Sequence, residues 1–191
     1  MKTVIAILSV VLVLFAGSTA FAKTAKASSA TSPAGNFEID GSFGFATGPD
    51  SFDAGYGLNF GVGYTLDQVD KNLQGRVDIS FFNFSYNYDL FGGYDLTYTR
   101  VPVTVSARYY FPFADRFRAF GQAGLETSID QFDYVDQFGN KHSKSEVNLG
   151  ISPAGGIDFL ITRNVSVFAV GTWHLISDSY FSMMFGGAYH F

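Results

Sequence analysis

The histidines are the residues from which an enzymatic site would have to be built, since the chain has three of them and no cysteine. His174 lies close in sequence to Ser177 and Asp178. A serine, a histidine and a carboxylate are the set with which hydrolases activate their nucleophile. The alternation around His174, however, places it on the polar side of a strand. We therefore predict a hydrogen-bonded histidine without a catalytic role.

Two further segments have side chains suited to binding. The stretch from Asn83 to Asp95 is rich in Tyr, Asn and Gly, which combine rigid aromatic anchors with adaptable hydrogen bonding. It predicts either contact with an external partner or an extended hairpin that packs on itself; the candidate contact residues are Tyr86, Tyr88, Phe91 and Tyr94. The stretch from Ile129 to Glu146 is acidic, but its spacing matches no defined metal motif. We expect no metal and no cofactor.

The elements that must position these residues are β-strands. From Asn36 onward, apolar and polar residues alternate with a period of two, which is typical of strands with one buried face. Eight segments show the pattern, with the apolar sets at 37–45, 56–64, 73–81, 101–109, 117–125, 147–159, 165–175 and 183–191. The connections after the second, fourth and sixth segments are short, and most of the others are longer. Short turns at one end and long loops at the other are typical of transmembrane barrels.

Alternation alone leaves open which face points inward, because a secreted soluble barrel has the same period with its apolar face inside. Eight strands enclose an interior only just wide enough for side chains or one small ligand. The apolar face carries bulky Phe, Tyr, Val, Leu and Ile residues, whereas the opposite face is rich in Gly, Ser, Asn and Ala. The bulky set is the harder one to fit inside. We therefore predict that the polar face lines the lumen and the apolar face contacts lipid.

Charged residues on the polar face would then need partners, because buried charges are costly unless they are paired. The predicted lumen network consists of Glu38, Asp40, Arg76, Asp78, Arg100, Arg108, Arg118, Glu126, Asp158 and His174. A closed interior of ion pairs is the favoured interpretation. The alternative is a narrow conduit in which the arginines select ions or small solutes.

The N-terminal region predicts export. A positive start, an apolar run from Val4 to Ala16 and the sequence Ala20-Phe21-Ala22 are typical of a cleaved secretory signal. We predict three regions: a signal at residues 1–22, a flexible leader at 23–35 and a barrel at 36–191. Removing the signal removes Lys2 and no acid, so the formal charge changes from −5 to −6, which argues against a nucleic-acid partner.

The C-terminal segment carries a family resemblance. Alternation in the last strand ends at Ala188-Tyr189-His190-Phe191. Together with the export signal, the eight strands and the short turns, this ending resembles the small outer-membrane barrels of the OmpA transmembrane-domain and OmpX type. The resemblance implies an all-β, eight-stranded antiparallel up-and-down barrel in the bacterial outer membrane. It also implies contact with outer-membrane lipid and lipopolysaccharide, and that Tyr189 and Phe191 serve as the signal to the barrel-assembly machinery.

The sequence thus favours a non-enzymatic outer-membrane barrel with a structural or surface-interaction role. Its loops are the expected contact points for an external partner. Two alternatives stay open: a narrow pore, and a lipid A-modifying enzyme that uses His174. The enzyme would need its nucleophile and base to face lipid. The alternation of the strand instead places His174 on the polar, inward face.

Overall fold

The computed structural model describes residues 35–48, 53–88, 94–135 and 141–191. The predicted signal and all but the last residue of the predicted leader lie outside these ranges. The described chain forms nine strand segments: β1 (Phe37–Ala46), β2 (Gly55–Thr65), β3 (Leu73–Tyr88), β4 (Tyr94–Pro112), β5 (Phe117–Val135), β6 (Lys141–Ile151), β7 (Ala154–Leu160), β8 (Val165–His174) and β9 (Tyr180–His190). None of these described residues forms a helix long and apolar enough to cross a membrane.

The strands pair in antiparallel fashion and the sheet closes on itself. β1 pairs with both β2 and β9, and β4 pairs with both β3 and β5. β6 and β7 both pair with β5 and form two parts of one barrel strand. The molecule is therefore a closed eight-stranded antiparallel barrel, which confirms the predicted fold class. The start of the first strand and the end of the last strand lie at the same rim of the barrel, where the N–H of Phe191 donates to the carbonyl of Phe37 at 2.8 Å. We call this rim the terminal end and the opposite rim the far end.

Pro153 causes the interruption between β6 and β7, because proline has no N–H to donate to the ladder. The wall nevertheless stays hydrogen-bonded across it. The N–H of Ser152 donates to the carbonyl of Gly124 at 3.0 Å, and the carbonyl of Pro153 accepts from the N–H of Trp173 at 2.9 Å.

The two faces of the sheet differ sharply in exposure. Leu149, Leu125 and Phe60 point outward with 76%, 71% and 68% of their surface exposed, whereas Arg76 and Arg100 are buried in the interior. Successive residues of a strand point to opposite faces, so the whole apolar set shares the outer surface. The orientation follows from volume, because the bulky residues exceed the space that eight strands enclose.

The two long hairpins require a correction to the predicted loop boundaries. β3 and β4 remain paired up to Tyr88 and Tyr94, and β5 and β6 remain paired up to Val135 and Lys141. Tyr86, Tyr88 and Tyr94 therefore lie in strands rather than in a loop, and Phe91 lies outside the described residues. The aromatic and Thr content of these segments suits paired strands. The sheet consequently extends at the far end along β3 to β6, beyond the last residue of β8.

Candidate functional site in the barrel lumen

One cluster of charged side chains fills the lumen between β1 and β3. Arg76 contacts three carboxylates: Glu38 at 2.5 Å, Asp78 at 2.8 Å, and Asp40. Glu38 also accepts a 3.0 Å hydrogen bond from the amide of Gln74. Residues two apart on a strand share a face, which is why Glu38 and Asp40 of β1 both reach Arg76 of β3, and why Asp78 lies on the same side as Arg76. We call Glu38, Asp40, Arg76 and Asp78 the arginine cluster.

Two more arginines fill the terminal half of the lumen next to this cluster. Arg108 lies 3.7 Å from Glu38 and donates to the amide oxygen of Gln122 at 2.8 Å. Arg118 forms an ion pair with Asp158. Aromatic rings cover both guanidinium groups: Phe120 lies 4.1 Å from that of Arg108, and Tyr110 lies 4.1 Å from that of Arg118. Such contacts add to the ion pairs in a desolvated interior.

Glu126, His174 and Ser182 form a second polar group further towards the far end. Nδ1 of His174 lies 2.7 Å from a Glu126 oxygen, and Nε2 lies 3.0 Å from the Ser182 hydroxyl. The two hydrogen-bond partners of His174 are therefore Glu126 and Ser182, whereas the sequence suggested Ser177 and Asp178. The order carboxylate, histidine, serine matches a hydrolase relay. All three residues are buried in the lumen, facing away from the exterior of the barrel.

A small cavity separates these groups. Its volume is about 40 Å³, and Asp40, Asp78, Arg108 and His174 contribute to its lining. Among the described residues, three polar atoms on its wall have no protein hydrogen-bond partner: Oδ1 of Asp40, Oγ of Ser42 and Oγ of Ser152. A buried water needs about 10–15 Å³ and two to four polar partners. The cavity therefore suits two or three water molecules and has no room for a larger ligand.

Aromatic side chains close the lumen at the far end. Phe82, Phe84, Tyr98 and Tyr180 are buried and pack ring against ring; we call them the aromatic cap. Phe84 stacks on Tyr98 at 5.6 Å, and Tyr180 meets Phe82 edge to face, also at 5.6 Å. This layer is absent from the lumen predicted from the sequence. The alternation in β3 could have revealed it, because Phe82 and Phe84 follow Ser80 at every second position and therefore lie on the same inward face.

Arg100 joins the cap to the charged network. Its guanidinium lies 5.1 Å from the Tyr98 ring and 5.0 Å from the Tyr180 ring. It donates two hydrogen bonds to Asp130, at 2.9 and 2.8 Å, and one to the carbonyl of Asp178 at 2.9 Å. A bidentate arginine–carboxylate pair fixes both planes. Arg100 therefore ties the β8–β9 connection to β4 and β5. Asp130, an inward carboxylate, is absent from the predicted network.

Gly61 of β2 lies opposite Asp40 and Asp78 in the sheet and leaves room for the arginine cluster. A Cβ at this position would collide with the Arg76 guanidinium and with both carboxylates. We expect Gly61→Ala to lower the free energy of unfolding by about 1–3 kcal/mol, measured by urea unfolding of the detergent-refolded barrel. Gly75→Ala is the matched control, because a Cβ at Gly75 has no atom within 4 Å. Equal urea midpoints for the two variants would contradict a tightly packed cluster.

Comparison with known proteins identifies the family. A family model described as outer membrane protein beta-barrel domain matches residues 8–181. The chain belongs to this family. No curated protein matches the chain. Membership places the protein in the bacterial outer membrane, which it crosses with its strands, and the predicted localisation is confirmed.

Solved outer-membrane proteins share the barrel. OprG from Pseudomonas aeruginosa is 14% identical, with 85% of this chain and 100% of that chain covered and a TM-score of 0.64. Ail, the attachment invasion locus protein of Yersinia pestis, is 17% identical, with 83% and 100% covered and a TM-score of 0.56. A major outer membrane protein from Thermus thermophilus is 14% identical, with 83% and 100% covered and a TM-score of 0.57. Identities this low show the fold alone.

Membership also assigns the two ends and the outer face of the barrel. Short turns of outer-membrane barrels face the periplasm, so the terminal end is periplasmic and the far end is extracellular. Tyr189 and Phe191 lie at the terminal end, exposed on the outer face, with ring centroids 4.7 Å apart. Their role as an assembly signal stays a prediction. The exposed apolar belt faces lipid.

Proposed function

We propose that this protein is a closed, non-enzymatic outer-membrane barrel that acts as a surface-interaction protein through the sheet that projects at its extracellular end. The interior supports the closed state. The arginine cluster, the aromatic cap and the side chains between them leave a cavity of about 40 Å³. Ion pairs and rings fill the cross-section that a conduit would need.

The buried relay supports the absence of enzymatic activity. Ser182 and His174 lie beneath the aromatic cap and are 1% and 4% exposed. A hydrolase needs space beside its nucleophile for the substrate and for donors that stabilise the oxyanion. The adjoining cavity holds only a few water molecules. These groups also face the lumen, so lipid A in the membrane does not reach them.

The observation that carries the interaction role is the outer edge of β6. Ile151 exchanges two backbone hydrogen bonds with Leu175, so its N–H and C=O point towards β8. Alternate residues of a strand direct these groups to the same side. The N–H and C=O groups of Ser143, Ser145, Val147 and Leu149 therefore point away from β5, and β8 ends at His174, before it could pair with them.

A sheet edge of this kind fits a partner in extended conformation. Exposed N–H and C=O groups pair with an added strand, and the alternating side chains supply specificity. Lys144 and Glu146, an exposed ion pair on β6, provide charges of both signs beside this edge. The partner class is therefore an extended peptide segment of an external protein, bound above the lipopolysaccharide-bearing surface.

Ser145→Pro tests this role. Proline removes one N–H from the outer edge but none from the β5–β6 ladder, because the Ser145 N–H points away from β5. We expect about five- to tenfold weaker binding of selected extended peptides, since a lost hydrogen bond and a bulky ring both oppose strand addition. The measurement is enrichment of a phage-displayed random peptide library on the refolded barrel in nanodiscs.

Ser145→Ala serves as the matched control and is expected to bind like the wild type, because it keeps the N–H. Both variants must retain the wild-type urea midpoint. If no peptide is enriched on the wild-type barrel, or if Ser145→Pro retains full binding, the edge of β6 is not the interaction site.

A further inference from the structure

An elongated groove runs along the lipid-facing surface of the barrel wall formed by β1, β9, β8, β7 and β5. Its volume is about 580 Å³ and its lining is overwhelmingly apolar. Gly41 and Gly187 form its floor, and the rings of Phe43, Phe185, Phe117 and Phe159 flank it. Neighbouring strands align the two glycines directly, so two missing side chains produce one continuous depression.

The groove occupies the periplasmic half of the membrane. Phe117 and Phe159 are paired in register where β5 begins and β7 ends, beside the short turns of the terminal end. Phe43 and Phe185 are paired near the middle of β1 and β9. The groove thus extends from the periplasmic boundary to about mid-membrane, roughly half of a ~30 Å hydrocarbon core. An acyl chain of the inner leaflet has this length and lies at this depth.

Positive charge lies at the periplasmic mouth of the groove. Arg116 immediately precedes Phe117, and its carbonyl accepts the N–H of Leu160 at 2.9 Å. Arg163 lies in the turn between β7 and β8. Both side chains are exposed, and these two turns carry one acid, Asp115, against the two arginines. The remaining short turn, between β2 and β3, has the opposite balance, with Asp67 and Asp70 against Lys71.

We propose that this groove and the two arginines form a binding site for an anionic phospholipid of the inner leaflet. One acyl chain lies on Gly41 and Gly187 between the four rings. The guanidinium groups of Arg116 and Arg163 receive the phosphate, for which arginine has a matching geometry. Lipopolysaccharide is not the occupant, because the site opens to the periplasmic side. The combination of apolar groove and cationic mouth separates this site from the rest of the lipid-facing belt.

Gly187→Leu tests the acyl-chain half of the site. The nearest atom to a Cβ at Gly187 is the carbonyl oxygen of Ser166 at 3.6 Å, so the side chain fits without moving the wall and covers the part of the groove above Gly187. The protein is refolded in detergent with phosphatidylglycerol, and retained lipid is counted by native mass spectrometry. We expect at least about tenfold less retained lipid than for the wild type. Gly75→Leu, on the opposite wall and equally unobstructed, is expected to retain the wild-type amount.

Arg116→Gln with Arg163→Gln tests the headgroup half. A cation near a membrane surface favours an anionic lipid by about fivefold, so the double variant is expected to lose about 25-fold of its preference for phosphatidylglycerol over phosphatidylcholine. Equal retention by Gly187→Leu and Gly75→Leu would overturn the site and leave unspecific lipid contact. Loss of lipid in Gly187→Leu without any preference for the anionic headgroup would overturn the anionic assignment.

Discussion

Replacing Arg76 with methionine is expected to lower the free energy of unfolding by about 3–5 kcal/mol. The guanidinium is the shared partner of Glu38, Asp40 and Asp78, and all four side chains are buried. Methionine preserves most of the apolar volume but leaves three carboxylates close together in a desolvated space. The measurement is the urea unfolding free energy of the refolded barrel at neutral pH.

A charge-neutral cluster provides the control. Asp40→Asn and Asp78→Asn, combined with Arg76→Met, remove the two carboxylates left without a cation, whereas Glu38 keeps Arg108 as its counter-ion. This triple variant should recover most of the lost stability, since neutral groups are far cheaper to bury. Stability of the destabilised single variant should also rise on acidification, as the carboxylates take up protons. A single variant as stable as the wild type would show that the arginine cluster does not hold the lumen closed.

Removing two rings of the aromatic cap is expected to open the extracellular end of the lumen. The native chain has no cysteine, so Ser152→Cys places a single thiol on the wall of the interior cavity. Under the intact cap, labelling by a small charged thiol reagent should be at least roughly a hundredfold slower than at exposed Ser145→Cys, because the reagent must wait for local opening. Phe82→Ala with Phe84→Ala should raise the Ser152→Cys labelling rate about tenfold or more, because it removes two buried rings.

Conductance measurements distinguish a filled lumen that opens only at the cap from a continuous pore. The arginine cluster, Arg108 and Arg118 still fill the terminal half when the cap is absent, so we expect no single-channel steps in planar bilayers from the wild type or from the capless variant. Fast labelling of Ser152→Cys under the intact cap, or steady conductance of the wild type, would support the conduit that the sequence left open. A further change on neutralising Arg108 or Arg118 would assign its selectivity to the arginines.

The sequence could predict which residues face the lumen, but it could not predict which of them contact each other. Parity alone puts Glu38, Arg76 and Asp158 on one face of their strands, and the structure places all three in the interior. Parity cannot say which residues of different strands meet, because register is a property of the assembled sheet. His174 illustrates this, because its hydrogen-bond partners are Glu126 of β5, 48 residues away, and Ser182 of the neighbouring strand β9.

The long hairpins at the far end show where the predicted strand boundaries were too short. The composition between Asn83 and Asp95 predicted either a partner-binding loop or an extended hairpin, and it could not reveal that pairing of β3 with β4 persists to Tyr88 and Tyr94. The aromatic cap was also not predicted from the sequence. An inward Phe82 or Tyr98 contradicts the simple division of the barrel into an apolar exterior and a polar interior. The division is incomplete along the barrel, since Phe120, Phe168 and Met184 also lie buried on the inward side.

The sequence by itself determined the fold class and the membrane-facing side, because these depend on a period of two and on the volume of side chains, which are local properties. The outer-membrane location followed from the export signal and from the family resemblance of the last strand. Only the tertiary structure decided the partners of each buried charge, the closure by the aromatic cap, the outer edge of β6 and the groove over Gly41 and Gly187. Each of these depends on register between strands, and register is set when the whole barrel closes.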